Sequence, residues 1–346
     1  MNSDSGSARK LAHQSLESFI RPCPCFTLSS LNPEIQTWIE QLRAGDARAL
    51  ARAISVVENH SLGWSELLTA IFPYSGHARI LGLTGPPGAG KSTLVDQLAR
   101  YYRKEGLSIG IIAVDPTSPY TGGAILGDRI RMQEHSSDAG IYIRSMATRG
   151  SLGGLARTTA DVSTILDASG RDLIMIETVG VGQDEVDIVR LADITVVILV
   201  PGMGDDVQTI KAGIMEIADI FVINKSDREG AERVEREIRA LQSLAVRTDK
   251  WTPLIVKTVA TEGTGIPELA GAIREYENHL QRENLVLKRN IQNWQARLVE
   301  MLRDAMLEKA RHQLGDGEMA QYAAEVAEHK RDPYTLIEEI VQGRRH

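Results

Sequence analysis

The chain has 346 residues, which is enough for one large α/β domain with extensions. Its net charge of −7 lacks the basic excess that nucleic-acid binding usually requires, so we expect no nucleic-acid partner. Two cysteines are too few for a disulfide framework, and no uninterrupted apolar run is long enough to cross a membrane. We therefore expect a cytoplasmic protein without a membrane segment, or a mitochondrial-matrix protein if the source is eukaryotic.

The apolar pattern changes three times along the chain. Residues 1–30 are polar and lack the apolar centre of a secretory signal, which predicts a disordered tail. Apolar residues then recur at helical spacing, which predicts a helical extension over 31–76. Short Ile/Val/Leu runs alternate with helical segments over 77–282, and this alternation predicts an α/β domain whose mostly parallel sheet is flanked by helices. Residues 283–346 return to helix, with a break at 315–317.

Seven apolar runs in the central domain are the predicted strands. They cover 79–84, 109–114, 141–144, 172–177, 194–200, 219–223 and 254–258. Helices are predicted at 92–104, 155–167, 184–191, 206–217, 231–244 and 266–280. Several strands are continuous Ile/Val/Leu runs, as expected for strands buried on both faces. In such a fold, ligands contact the loops at the carboxyl ends of the strands.

The segment Gly85–Ser92 matches the phosphate-binding pattern GxxxxGK[ST] in full and follows a predicted strand, so the fold class becomes a P-loop NTPase. The predicted phosphate-binding residues are Gly85, Pro86, Pro87, Gly88, Ala89, Gly90, Lys91, Ser92 and Thr93. Glycines let backbone N–H groups point at phosphates, and the helix that follows adds its positive end. Lys91 is expected to contact the β- and γ-phosphates, and the Ser92 hydroxyl to bind Mg²⁺. The alternative is a glycine-rich turn that binds no ligand.

The tetrapeptide Asn224–Asp227 directly follows another predicted strand. A carboxylate at Asp227 can accept hydrogen bonds from N1–H and the amino group of guanine, a donor pair that adenine lacks. Asn224 is expected to brace the neighbouring loops, and Lys225 to lay its stem along the base. Residues after the last strand are expected to complete the base pocket, namely Ala260, Thr261 and Glu262. The pattern thus predicts binding of GTP and GDP, and the alternative is an ordinary polar turn.

Three acidic residues near predicted strand ends are candidate Mg²⁺ ligands, because Mg²⁺ prefers oxygen donors. Asp115 follows one strand, Asp128 lies further along the same Pro-, Gly- and Thr-rich loop, and Glu177 begins another loop. Together with Ser92 they form the predicted metal-binding set. A loop of this kind is typical of a switch that the γ-phosphate and Mg²⁺ order, so Asp128 also enters the predicted catalytic set. The alternative is that Asp115 and Asp128 cap helices.

The loop Glu177–Gln183 supplies two further candidates. Gly180 is a natural hinge whose N–H can bind the γ-phosphate, and Gln183 can orient the attacking water. The alternative for Gln183 is a polar helix cap. The predicted catalytic residues are therefore Lys91, Asp128 and Gln183.

With these loops in place, the chain resembles the MeaB-type methylmalonyl-CoA mutase-associated GTPases, also called the ArgK family, over about residues 33–340. The most distinctive segments are Val114–Arg131, Arg149–Gly154, Glu177–Gln183 and Asp332–Tyr334. The resemblance implies a GTP-hydrolysing chaperone that gates adenosylcobalamin delivery to methylmalonyl-CoA mutase, or a related acyl-CoA mutase, and protects it. It also implies a homodimer formed through the C-terminal helices, and a third switch at 201–211 that faces the mutase.

Two other functions stay open. A metallochaperone GTPase that inserts a metal into a client enzyme would need a thiolate or histidine cluster near the switches. Cys23 and Cys25 are the only cysteines, and two thiolates make an incomplete zinc or nickel site. A metabolite kinase would transfer the γ-phosphate to a small molecule instead of water, and the guanine pattern argues against it.

Overall fold

The computed structural model describes residues 33–115, 138–147, 154–178, 191–202, 217–244, 247, 249–315 and 317–342. The predicted tail at 1–30 lies outside these ranges, as do nearly all of the helices predicted at 184–191 and 206–217. The chain forms two compact units, of which the first ends at Leu285 and the second begins at Val286.

The first unit begins with three helices: α1 (Pro33–Arg43), α2 (Ala47–Glu58) and α3 (Trp64–Ile71). Asp46 caps α2, because its Oδ1 accepts hydrogen bonds from the N–H groups of Arg48 at 2.7 Å and Ala49 at 2.8 Å. The apolar faces of these helices pack in one core with a sheet face. The helical extension that the apolar spacing predicts is therefore present.

The sheet contains seven strands in the described part of the chain, and all neighbouring pairs run parallel. The strands are β1 (Arg79–Thr84), β2 (Ile109–Asp115), β3 (Ile141–Ala147), β4 (Leu173–Glu177), β5 (Ile194–Leu199), β6 (Ile220–Asn224) and β7 (Leu254–Thr258). Their order is β3-β2-β4-β1-β5-β6-β7. The predicted parallel α/β fold is thereby confirmed.

Helices cover both faces of this sheet. In the first unit they are α4 (Lys91–Lys104), α5 (Gly154–Ala168), α6 (Ala231–Gln242) and α7 (Ile266–Arg282). Successive strand residues point to opposite faces. Leu83 and Met175 therefore join the core that contains α4 and α7, whereas Ile174 and Ile176 join the core that contains α1–α3 and α5.

Aspartates hold the amino-terminal edge of the sheet together. The Oδ2 atom of Asp193 accepts a hydrogen bond from Ile80 N at 2.8 Å, and that of Asp219 accepts one from Thr195 N at 2.9 Å. Each carboxylate satisfies an N–H group at the start of a neighbouring strand, which removes the cost of leaving that donor unpaired. Hydrogen bonds that these aspartates accept from neighbouring strands stabilise this edge, and the glycine-rich loop lies at the opposite edge.

The second unit is helical, with α8 (Val286–Gln313), α9 (Glu318–Ala327) and α10 (Pro333–Gln342). The first of these helices ends at Gln313 and the next begins at Glu318, on either side of the predicted break, and a second break comes before Pro333. There the Oδ1 of Asp332 accepts a hydrogen bond from Thr335 N at 2.9 Å, and a proline at the first helical position suits such a start. In the ranges given above, no helix combines the length and apolar composition needed to cross a membrane.

Candidate nucleotide site

The segment Gly85–Ser92 runs from the end of β1 into the first turn of α4, and its glycines pack against β5 and β6. Gly85 has a φ of +149°, and a Cβ on it would lie 2.2 Å from the carbonyl oxygen of Ile198. Gly90 has a φ of +88°, and a Cβ there would lie 2.5 Å from Nδ2 of Asn224. Both positions therefore require glycine, because the backbone conformation and the space each exclude a side chain.

Lys91 is the first residue of α4 and is 7% exposed. Its Nζ donates hydrogen bonds to the carbonyl oxygens of Gly85 at 2.7 Å and Pro86 at 3.0 Å. These contacts hold the ammonium group against the loop. From this position it can pair with a phosphate that the N–H groups of the loop bind.

Ser92 and Glu177 bring two oxygen donors together beside the loop. The Ser92 hydroxyl donates a hydrogen bond of 2.5 Å to Oε1 of Glu177, which is 6% exposed at the carboxyl end of β4. A hydroxyl and a carboxylate are the hard oxygen donors that Mg²⁺ prefers, and a cation would offset the cost of burying the carboxylate. The donor set therefore fits Mg²⁺.

The other predicted metal and switch residues are only partly covered. Asp115 is the last residue of β2, and its backbone lies beside Ala147 of β3. Ala113 is in register with Glu177, so the backbone of Asp115 reaches the same edge two residues further along. Asp128, Gly180 and Gln183 lie outside the described residues, and their roles remain predictions.

Asn224 joins three parts of the site through one buried amide. It is 2% exposed at the end of β6, and its Nδ2 donates to the carbonyl oxygen of Ala89 at 2.8 Å. Its Oδ1 accepts hydrogen bonds from Thr258 Oγ1 and Ala260 N, each at 3.1 Å. The phosphate loop, β6 and the segment after β7 are therefore fixed to one another.

The residues after Asn224 form a tight turn at the same edge. Lys225 has a φ of +55°, and its Nζ donates to the carbonyl oxygen of Gly88 at 2.8 Å. Asp227 is exposed, so its carboxylate is accessible to a base. Ala260 is buried, whereas Thr261 and Glu262 of the same short 3-10 helix are exposed. The predicted phosphate and base residues thus lie on adjoining loops.

Three buried threonines of this region carry hydrogen bonds that the sequence analysis did not predict. Thr258 supplies the hydroxyl that Asn224 accepts, and Thr178 donates from its Oγ1 to Thr84 Oγ1 at 3.0 Å. The sequence feature that points to these bonds is position, since each threonine ends an apolar strand or directly follows one. Threonine is also common within strands, so position alone does not reveal such a bond.

The phosphate loop after β1, the acid–hydroxyl pair and the Asn-Lys-x-Asp turn after β6 together define a P-loop nucleoside triphosphatase with a guanine-type base loop. A family profile described as methylmalonyl Co-A mutase-associated GTPase MeaB matches residues 50–314. The chain belongs to this family, and it is a GTPase. The family resemblance drawn from the sequence is confirmed.

Relatives and a solved structure agree with this assignment. A Pyrococcus abyssi protein is 49% identical over 318 residues, which cover 89% of this chain and 98% of that protein. The Escherichia coli GTPase ArgK is 40% identical over 250 residues, which cover 70% of this chain and 76% of ArgK. The crystal structure of an LAO/AO transport system kinase superposes with a TM-score of 0.66 and is 28% identical, covering 90% of this chain and 98% of that one.

A mammalian relative is also found. The mouse methylmalonic aciduria type A homolog, mitochondrial, is 40% identical over 227 residues, which cover 64% of this chain and 55% of that protein.

Within the described ranges, no group of three or more His, Cys, Asp and Glu side chains could hold a metal ion. Cys23 and Cys25, which the metallochaperone hypothesis invokes, lie outside those ranges.

Proposed function

We propose that this GTPase is a chaperone that gates adenosylcobalamin delivery to an acyl-CoA mutase, with methylmalonyl-CoA mutase as the first candidate client, and that it protects the mutase. The observation that carries the proposal is the match of the mutase-associated GTPase family over residues 50–314, which span the phosphate loop and the base loop. The name of the mouse relative also refers to methylmalonic aciduria. GTP binding and hydrolysis would then control when the cofactor is transferred.

The proposed hydrolysis uses the described contacts in a defined way. The oxygen of a water molecule attacks the γ-phosphorus, the bond to the β,γ-bridging oxygen breaks, and GDP and phosphate are formed. Lys91 stabilises negative charge on the β- and γ-phosphates, together with the N–H groups of the phosphate loop. Asp227 holds the guanine and Lys225 lays its stem along the base, while Asn224 braces the surrounding loops and Ala260 to Glu262 close the pocket. Gly180 is proposed to bind the γ-phosphate through its N–H.

Mg²⁺ would be held by Ser92, Asp115, Asp128 and Glu177. When bound, it would neutralise charge on the phosphate oxygens. Among these residues, the adjoining oxygens of Ser92 and Glu177 support the proposal most directly. Gln183 is proposed to orient the attacking water, with Asp128 on the switch loop. No described residue is placed as a strong base, so slow intrinsic turnover is expected until a partner fixes the switch loops.

The second unit is proposed to be the arm through which two copies of this chain associate. Apolar residues with exposed side chains recur along α8 at steps of four and three residues: Leu287, Ile291, Trp294, Leu298 and Met301. This is the spacing of a helix–helix seam. Leu287 is 70% exposed and Leu298 is 56% exposed, and a contiguous apolar surface of this kind marks an interaction site.

The test is to purify the chain together with the cobalamin-dependent acyl-CoA mutase of the same organism. GTP hydrolysis is measured with and without the mutase, and adenosylcobalamin transfer is followed by its absorbance. We expect a complex that accelerates hydrolysis and that transfers cofactor only when hydrolysis is possible. GTP hydrolysis with no complex would overturn the proposed client while leaving the GTPase assignment in place.

A further inference from the structure

Two buried threonines join the start of the phosphate loop to the end of β4, where Glu177 lies. Thr84 is the last residue of β1 and directly precedes Gly85, and Thr178 directly follows Glu177. Each threonine is 1% exposed. Thr178 Oγ1 donates to Thr84 Oγ1 at 3.0 Å, and Thr178 N donates to the carbonyl oxygen of Leu83 at 3.1 Å. The hydrogen-bonded pair thus joins the residue before the phosphate loop to the residue that directly follows Glu177.

This hydroxyl pair lies on the sheet face opposite to the Glu177 side chain. Leu83 is in register with Glu177, Thr84 follows Leu83 as the last residue of β1, and Thr178 follows Glu177 directly after the end of β4. Ser92 of α4 donates to the carboxylate of Glu177, whereas Thr84 points to the face opposite to Leu83, because side chains alternate along β1, and the Thr178 hydroxyl meets it there. Hydrogen bonds on opposite faces therefore fix two successive residues.

We propose that the Thr84–Thr178 pair is a positioning element for Glu177, and this inference rests on the proposed Mg²⁺-dependent hydrolysis of GTP. The hydroxyl bond fixes the peptide between Glu177 and Thr178, and hence the direction in which the carboxylate leaves β4 toward Ser92. Valine has nearly the shape of threonine and would fill the same buried space. The hydroxyl pair fixes the orientation of the two backbone segments that carry it. A hydrogen bond holds its partners at one separation and angle, whereas apolar packing does not.

The test compares Thr178→Val, Thr84→Val and Thr178→Ser in the full-length chain. Calorimetry measures the affinity of the GDP-bound protein for Mg²⁺, and thermal unfolding measures stability. We expect each valine variant to weaken Mg²⁺ binding about tenfold, in the range typical for losing an outer-shell partner of a metal ligand. Thr178→Ser keeps the hydroxyl and should bind Mg²⁺ within about twofold of wild type.

Two comparisons separate positioning from a general loss of stability. Thr195→Val makes the same change at a buried position near the amino end of β5 and should leave Mg²⁺ affinity unchanged. In a Ser92→Ala background, Thr178→Val should have little further effect on Mg²⁺ affinity, because the contact that it positions is already missing. If Thr178→Val does not fold, Thr84→Val removes the same bond from its other side, and the double valine variant leaves no unpaired hydroxyl.

The outcomes also distinguish this inference from the proposed function. Wild-type Mg²⁺ affinity in a folded valine variant, or equal weakening by Thr195→Val, would overturn the positioning role alone. A wild-type protein whose nucleotide complex binds no Mg²⁺ would overturn the proposed metal-dependent mechanism itself. A weakening that Thr178→Ser reverses and that Ser92→Ala masks would establish the pair as a positioning element.

Discussion

Lys91 places its ammonium group against the carbonyl oxygens of the phosphate loop, where it can stabilise charge on a bound phosphate. We expect Lys91→Ala to lower the rate of phosphate release from GTP by about a hundredfold or more, because a preorganised charge at the transferred phosphate is lost. The matched control is Lys104→Ala, which removes an exposed lysine from the far end of the same helix. A Lys91→Ala rate within about threefold of wild type would contradict the role assigned to Lys91.

Substitution of Asp227 tests the preference for guanine over other bases. Its carboxylate is exposed in the turn after β6, where it can accept the two donors of guanine. Asp227→Asn replaces one acceptor oxygen by an N–H donor, which suits the carbonyl of xanthine. We expect the preference for GTP over XTP to fall about a hundredfold or more in competition binding. Glu229→Gln, which removes a charge from the same turn, should leave the preference unchanged, and an unaltered preference in Asp227→Asn would refute the guanine contact.

Tyr102 gives a prediction about pH. Burial raises the pKa of its phenol to about 12, and no described residue accepts or donates a hydrogen bond at its Oη. Because the folded-state pKa lies above the ordinary value near 10, the stabilisation is complete below pH 10 and is lost as pH rises toward 12. Between pH 8 and pH 11.5, the wild type should lose about 2 kcal/mol more unfolding free energy than Tyr102→Phe. Denaturant titrations that shift equally in both proteins would contradict this.

Two glycines of the phosphate loop are required for different reasons. At Gly85 the backbone of β5 leaves no room for a side chain, whereas at Gly88 only the backbone conformation favours glycine. A Cβ on Gly85 would lie 2.2 Å from the Ile198 carbonyl oxygen, whereas a Cβ on Gly88, with a φ of +76°, meets no atom within 4 Å. We expect Gly85→Ala to lower the unfolding free energy by about 3 kcal/mol or more, and Gly88→Ala by about 1 kcal/mol. Equal losses in urea titrations would show that the contact with β5 is not what constrains Gly85.

The elements also show how far the sequence alone can predict this fold and site. All seven strands are predictable from short apolar runs, and those of β4, β5 and β6 are continuous because these strands are buried on both faces. Their ends are less predictable, since β3 continues to Ala147 where β2 pairs with it through Asp115. The phosphate and base loops are identifiable from local patterns. The bond from Asn224 to Ala89 spans 135 positions, and such a contact exists only once the sheet has been assembled.

At the scale of the whole molecule, the two units differ in how they bury apolar side chains. The first unit has extensive cores on both faces of its sheet. In the second, Leu336 is the only buried hydrophobic side chain among the described residues. A helical arm with so little internal core is not expected to be stable by itself, because helices gain most of their stability from packing an apolar face. We therefore expect the exposed apolar stripe on α8 to determine the oligomeric state.

Leu298 lies in the middle of that stripe, and its substitution tests the proposed dimer. A glutamate at 298 would place a charge in the apolar seam, which is costly without a partner charge. We expect Leu298→Glu to shift the full-length chain from dimer to monomer in light scattering at micromolar concentration. Ala296→Glu is the matched control, because the exposed Ala296 lies on the opposite side of α8 and receives the same charge. We expect Ala296→Glu to remain a dimer.

Unfolding provides a second test of the same interface. If two copies associate through α8, the midpoint of thermal unfolding should rise with protein concentration in the wild type and in Ala296→Glu. In Leu298→Glu it should not depend on concentration. The dimer proposal fails if the wild type is monomeric with a midpoint independent of concentration, because the exposed stripe must then be covered by a different partner. If instead Leu298→Glu stays dimeric, the copies associate through a surface other than the α8 stripe.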